Sequence, residues 1–361
     1  MSLQKFISNV GNTVVLGILP LAVIATVPKA AEAAKLQPGN IDSLYVFGDS
    51  ISDTGNVFTA TQGALPPAPF YYQGRFSNGP NWVDDLSQKL GLDLTPALKI
   101  AFGQAAPTAG INFAFGGSTT GTANTLNYLL PPGFQNLPGL QQQVGLFSTL
   151  IPTQQAANPN ALYVLWAGAN DYPPTDSDFV PYKDTNTTIA NLSFAAQSLA
   201  KLGAKNIMVV DLPDLGKLPV SLGTPEATAL STLTTQHNAQ LFQAIQSSVG
   251  DSVNIIPFEV SSLFNQAIAN PSEFNFTNVT DACFNQANFS ICSNPNQYLF
   301  WDQRHPSAAT HQLIANAAFS TLQAEAVPEP STQLGILVFG VLAGVVIKQK
   351  VKKSHPVKIS A

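Results

Sequence analysis

Leu44-Tyr45-Val46-Phe47-Gly48-Asp49-Ser50-Ile51-Ser52-Asp53-Thr54-Gly55-Asn56 decides how this chain is read. Four consecutive apolar residues, aromatic and β-branched among them, read as a buried strand. Ser50 follows directly, with a glycine before it, where a strand end exposes a hydroxyl. Similar short runs recur at Ile111-Asn112-Phe113, 161–166, 206–210 and 253–258. Between them 82–90, 187–202 and 226–249 have helical spacing, and 307–325 reads as a final helix opened by Pro306. Strands separated by helices predict an α/β fold with a five-stranded, mostly parallel sheet covered on both faces. In such folds the site lies beyond the carboxyl ends of the strands.

The residues just past each strand therefore carry the chemistry. A serine nucleophile needs a base, usually histidine. His305 stands three residues after Asp302, a spacing that lets one local turn join carboxylate and imidazole. His237 and His311 fall inside predicted helices and read as structural. Acyl transfer also needs donors for an oxyanion. The second strand runs into Gly116-Gly117-Ser118 and the third into Ala167-Gly168-Ala169-Asn170-Asp171. With the N–H of Ser50 these offer three donors from three strand ends. The G-x-S-x-G elbow of ordinary α/β-hydrolases is absent. So are zinc-protease, P-loop and dinucleotide patterns, and no metal, nucleotide or other cofactor is expected.

These ordered segments resemble the conserved blocks of the GDSL, or SGNH, hydrolases. Further matches are Asp53-Thr54-Gly55-Asn56, Gly74-Arg75-Phe76-Ser77-Asn78-Gly79, His237-Asn238 and His305-Pro306-Ser307, which favour the branch that includes plant GDSL lipases. The resemblance covers about 44–320. It implies a three-layer, flavodoxin-like α/β/α sandwich. It also implies an ester hydrolase with Ser50 as nucleophile, His305 as base, Asp302 as its orienting partner, and Ser50, Gly117 and Asn170 as the oxyanion hole. One departure is Ile51 where the family name has Leu. The same acyl-enzyme chemistry serves an acyltransferase or a polysaccharide deacetylase. A non-catalytic surface-binding protein is the alternative of another class. Asp53 and Asn56 are expected to hold their loop, Arg75 to make an ion pair, and Asp171 to stand behind the site or merely in the core. The Pro- and aromatic-rich stretches 60–74 and 119–140 read as loops at the site mouth.

The 361 residues, 45 % of them hydrophobic, suffice for one large domain, assigned to 34–326. Charged residues make up only 10 %, against an average of about 25 %. Nine basic residues stand against nineteen acidic ones in 34–327. Such an acidic body repels phosphate backbones, which argues against a nucleic-acid partner. Lys5, an apolar run over 14–27 and Ala31-Glu32-Ala33 read as a signal peptide, 1–33, cut by signal peptidase. Residues 327–361 combine Val327-Pro328-Glu329-Pro330, an apolar stretch 334–347 expected to form a transmembrane helix, and a lysine-rich tail. This order resembles the PEP-CTERM sorting signal of Gram-negative bacteria and cyanobacteria. It implies an exosortase-type processing enzyme, at least transient membrane contact, and export to the cell surface or matrix. On export, Cys283 and Cys292 are expected to form a disulfide worth about 2–3 kcal/mol.

Overall fold

The computed structural model describes residues 36–131 and 135–326. Six parallel strands form one sheet: β1 (Ser43–Gly48), β2 (Leu94–Pro96), β3 (Gly110–Asn112), β4 (Ala161–Trp166), β5 (Asn206–Val210) and β6 (Asn254–Phe258), in the order β2-β3-β1-β4-β5-β6. The five strands read from the sequence are present. The sixth, β2, is a three-residue edge strand ending at Pro96. Proline cannot donate to a ladder, so such a strand survives only at an edge and leaves little signal in the sequence.

The helices are α1 (Asn56–Ala60), α2 (Trp82–Leu90), α3 (Ala97–Ala101), α4 (Leu140–Leu150), α5 (Thr153–Ala156), α6 (Asn186–Leu202), α7 (Ala227–Val249), α8 (Val260–Ala269) and α9 (Ala308–Ala326). Alternate strand residues face opposite ways, and the two faces build separate cores. Leu44, Val46, Leu162, Val164, Met208 and Ile256 meet α2, α8 and α9 through Trp82, Leu86, Phe264, Ile314 and Ala318. Tyr45, Phe47, Tyr163, Leu165, Ile207 and Val209 meet α4, α6 and α7 through Phe147, Leu192, Leu199, Leu241 and Ile245. The result is the expected three-layer sandwich. β1 sits between β3 and β4, where the strand order reverses direction. A crevice opens at such a switch point, beyond the strand ends.

After β6 and α8 the chain leaves the sheet. β7 (Asn278–Ala282) pairs with β10 (Tyr298–Phe300), and between them β8 (Phe284–Asn285) and β9 (Ser290–Ile291) form a hairpin. Cys283 and Cys292 close that hairpin as a disulfide, as expected from the sequence.

One reading is corrected. The expected transmembrane helix is not found: among the described residues no helix is long and apolar enough to cross a membrane. The long helices are amphipathic; α7, for instance, buries Leu230, Leu241 and Ile245 and leaves Gln236, Gln240 and Gln243 less covered. The apolar stretches 14–27 and 334–347, with both processing segments, lie outside the described residues. The final helix starts at Ala308, with Ser307 Oγ accepting from Thr310 N–H. This agrees closely with the reading of 307–325, and His305 stands just ahead of the helix.

Candidate active site

β1 delivers Ser50 through a turn that the sequence enforces. A Cβ on Gly48 would lie 2.1 Å from the carbonyl oxygen of Trp166, so no other residue passes β4 this closely. Asp49 turns inward and accepts from Ile51 N–H at 3.0 Å. Asp53 then gathers the loop. Its carboxylate accepts from the N–H groups of Gly55, Asn56 and Val57, and from Gly116 at 2.9 Å. One side chain thus ties the loop after β1 to the loop after β3. Asn56 reinforces the link by donating to the carbonyls of Asn112 and Ala114. Asn112 returns a bond to Ser52 O at 2.6 Å. Asp53 and Asn56 do hold the loop, as read from the sequence.

On the opposite side, β10 runs into Trp301 and Asp302. Asp302 Oδ1 accepts from the N–H groups of Arg304 and His305, both at 2.8 Å. This tight turn places His305 Nδ1 at 2.8 Å from Asp302 Oδ2, and His305 Nε2 at 2.9 Å from Ser50 Oγ. A carboxylate only accepts, so Nδ1 carries the proton and Nε2 is left bare toward the serine. Burial by itself pushes the Asp302 carboxyl up. The facing imidazole, with hydrogen bonds from His305, Tyr71 and Arg304, outweighs that and holds it below the usual carboxylate range. Phe76 lies against the imidazole, ring centroids 5.2 Å apart.

Gly117 and Asn170 line the same cleft as Ser50 and His305. Gly117 has φ +74°, and a Cβ there would meet Asn124 Oδ1 and Leu126 Cγ at 2.6 Å. Asn170 Nδ2 donates to Ser118 O at 3.0 Å, which fixes the amide while its second N–H remains. Behind it, the buried Asp171 accepts from Thr120 N–H, Thr120 Oγ1 and Thr188 Oγ1. Burial nonetheless pushes Asp171 up to about 6. The Asp171 carboxylate thus ties the segment after β4 to Thr120 and to Thr188 of α6. Ser50, Gly117, Asn170 and His305 line one cleft, and Asp302 holds His305 from the side of the neighbouring cavity.

The other singled-out residues fall elsewhere. Arg75 forms a two-pronged pair with Asp84 at 3.0 and 2.8 Å. His237 is buried in α7, its Nδ1 2.9 Å from the Tyr172 hydroxyl, and burial lowers it to about 4. His311 accepts from Trp82 N–H and is lowered to about 3 by burial first and His305 second. Trp166 and Trp301 are core. Sequence reasoning missed Gln143, which brackets Gly48 and also donates to Ser118 Oγ at 2.8 Å. It missed Tyr71, Asp176, Gln286 and Arg304 as well. Gln143 alone carried a signal, as an amide three residues after Leu140 and four before Phe147 on the apolar face of its helix. Among the described residues no group of His, Cys, Asp and Glu is arranged to hold a metal.

Two cavities meet at His305. One, of about 260 Å³, holds Ser50, Gly117 and Asn170 and is walled by Thr125, Thr175, Asp176 and Arg304. The other, of about 250 Å³, is walled mainly by Leu65, Pro66, Pro67, Leu126, Tyr128 and Leu129. The stretches 60–74 and 119–140 thus shape the mouth, as their composition predicted.

The model of the GDSL-like lipase/acylhydrolase family matches residues 44–318, the span that carries the whole arrangement. The chain belongs to the GDSL-like lipase/acylhydrolase family. This GDSL chain is 26 % identical over 353 residues to a phosphatidylcholine-sterol acyltransferase of Aeromonas hydrophila, covering 84 % of this chain and 97 % of that protein. It is 26 % identical over 332 residues to GDSL esterase/lipase 6 of Arabidopsis thaliana, covering 78 % and 86 %. Among solved structures it is similar to an acetylxylan esterase from Geobacillus stearothermophilus, at 15 % identity and a TM-score of 0.41, covering 81 % of this chain and all of that one. At that distance the likeness adds nothing to the fold seen directly.

Proposed function

We propose that this GDSL-family chain hydrolyses carboxylic esters through a covalent acyl-enzyme on Ser50. The observation that carries the reading is the bare His305 Nε2 at 2.9 Å from Ser50 Oγ, with Nδ1 held by Asp302. Ser50 Oγ attacks the ester carbonyl as its proton passes to Nε2. The imidazolium so formed faces an ionised carboxylate. The N–H groups of Ser50 and Gly117 and the free amide N–H of Asn170 take the oxyanion. His305 then protonates the leaving alcohol, and water, activated by the same nitrogen, releases the acid.

The two cavities suit an amphiphilic ester. The apolar one, walled by Leu65, Pro66, Pro67, Leu126 and Leu129, accepts the acyl chain. The polar one, with Thr125, Thr175, Asp176 and Arg304, accepts a hydroxylated alcohol portion. Transfer to an alcohol in place of water is the second reading, favoured by the near full-length match to an acyltransferase. Export belongs to the proposal on sequence grounds: the leader 1–33 for signal peptidase, and 327–361 for an exosortase-type enzyme. The Cys283–Cys292 disulfide suits an oxidising compartment.

Release of p-nitrophenol from acyl esters of two to sixteen carbons tests the reading. The expected result is an initial burst, and the panel reads out the acyl length that the apolar cavity prefers. Ser50→Ala abolishes the burst and leaves the melting curve nearly unchanged. Comparable turnover by that variant would overturn the assignment. Adding glycerol and identifying the products separates hydrolysis from transfer.

A further inference from the structure

We propose that Tyr71 is a positioning residue for Asp302, and that Gln286, carried on the disulfide-closed hairpin, sets the direction of its proton. The proposal rests on the hydrolase reading above.

The Tyr71 hydroxyl lies 2.7 Å from Asp302 Oδ2, although 231 positions separate the two residues. Tyr71 is buried, its ring edge-on to Phe284 and to Phe76, and Phe76 itself lies against His305. A phenol has one proton to give. Gln286 Nε2 donates to Tyr71 Oη at 3.0 Å and so occupies its acceptor side. The phenolic proton is then directed to Asp302. Asp302 Oδ1 is pinned by two backbone N–H groups, His305 Nδ1 lies 2.9 Å from Oδ1 and 2.8 Å from Oδ2, and Oδ2 takes the Tyr71 proton in addition. Tyr71 therefore fixes the rotation of the carboxylate about its own axis, which aligns it with the imidazole. Neither Tyr71 nor Gln286 touches the reacting atoms.

The hairpin makes this arrangement rigid. Gln286 stands just after β8, and the hairpin is closed by Cys283 and Cys292. Its base is fastened to the segment leading into Asp302: Cys283 N–H donates to Phe300 O and Phe284 N–H to Trp301 O. Phe70 and Trp301 each stack on Phe284, ring centroids 4.7 and 5.5 Å away. The excursion after β7 is thus a brace that reaches the Asp302–His305 pair through one phenol.

The test compares Tyr71→Phe, Gln286→Met and the double variant in the full chain, measuring kcat, KM, the pH dependence of kcat/KM and the melting temperature. Tyr71→Phe is expected to lower kcat roughly 10- to 100-fold, the size of one hydrogen bond to a charged group, with KM within about twofold. Losing that donor makes Asp302 more basic, so the Asp302–His305 pair holds its proton more tightly. The acidic limb of kcat/KM moves to higher pH. The other groups acting on the pair, Asp49, His311 and Arg304, are the same in every variant. Gln286→Met is expected to cost about 3- to 10-fold in the wild-type background and nothing further on Tyr71→Phe, because it acts through the phenol. Unchanged kcat and pH profile in Tyr71→Phe overturns the proposal, as does an equal cost of Gln286→Met in both backgrounds. Should Tyr71→Phe fail to fold, Gln286→Met alone decides by the same kcat and limb shift. A wild-type protein that releases nothing from any ester instead overturns the hydrolase reading.

Discussion

His305 Nε2 lies 2.9 Å from Ser50 Oγ across 255 positions of chain, and its other nitrogen is held by Asp302. The hydrogen bond to Asp302 decides which nitrogen is bare. Asp302→Asn offers an amide that can donate to Nδ1 and flip the tautomer. The expected outcome is a fall in kcat of about 10³–10⁴-fold with the fold intact, read by stopped-flow ester hydrolysis and circular dichroism. Activity within tenfold of wild type would show that the carboxylate matters little to the base.

Asn170→Ala removes one proposed oxyanion donor and leaves the serine and histidine in place. A loss of about 10²–10³-fold in kcat, with KM nearly constant, is expected. Asn170→Asp should be no better, since a carboxylate repels the developing charge. A change confined to KM would mean that the amide contacts the ground state equally.

Asp49 has a different signature. Burial, its largest influence, pushes its carboxyl up to about 7, and Oδ2 has no hydrogen-bond partner among the described residues. Its folded pKa lies above the unfolded value of 3.8. Its contribution to stability is therefore complete below pH 3.8 and is lost as pH rises through about 7. Asp49→Asn should be more stable than wild type at pH 8, by at most about 4 kcal/mol. The gap should close toward pH 4. Urea unfolding across that range checks it, and a constant gap would contradict the burial argument.

His237 and His311 act in the opposite sense. Both are held neutral by burial, at about 4 and about 3. Their contribution is present above the unfolded value of 6.5 and is lost as pH falls toward those folded values. His237→Gln should therefore flatten the acid side of the stability curve while leaving the alkaline side with its original slope. Thermal unfolding at pH 4–8 measures this.

The disulfide closes a loop of nine positions. Replacing Cys283 and Cys292 together by serine should cost about 2–3 kcal/mol of stability by loop-closure entropy. Denaturant midpoints with and without reductant would show the same loss for the wild-type protein and none for the double variant.

By itself the sequence determined what depends on neighbours along the chain. Short, mostly apolar runs of three to six residues marked five of the six strands, because burial on both faces leaves little polar alternation to confuse them. Gly48-Asp49-Ser50 and Asp302-x-x-His305 were legible because each is one local turn, whose hydrogen bonds run over two or three residues. The tertiary structure alone decided what depends on separate segments meeting. β2 needed the neighbouring β3 to make a strand of Leu94-Thr95-Pro96. Asp53 reaches Gly116, Tyr71 reaches Asp302, and the wall of Leu65, Leu126 and Leu129 forms only where two loops fold over the same strand ends. Side-chain type sets which bonds a residue can make; which partner comes within 3 Å is fixed by the packing of the whole sheet and its helices.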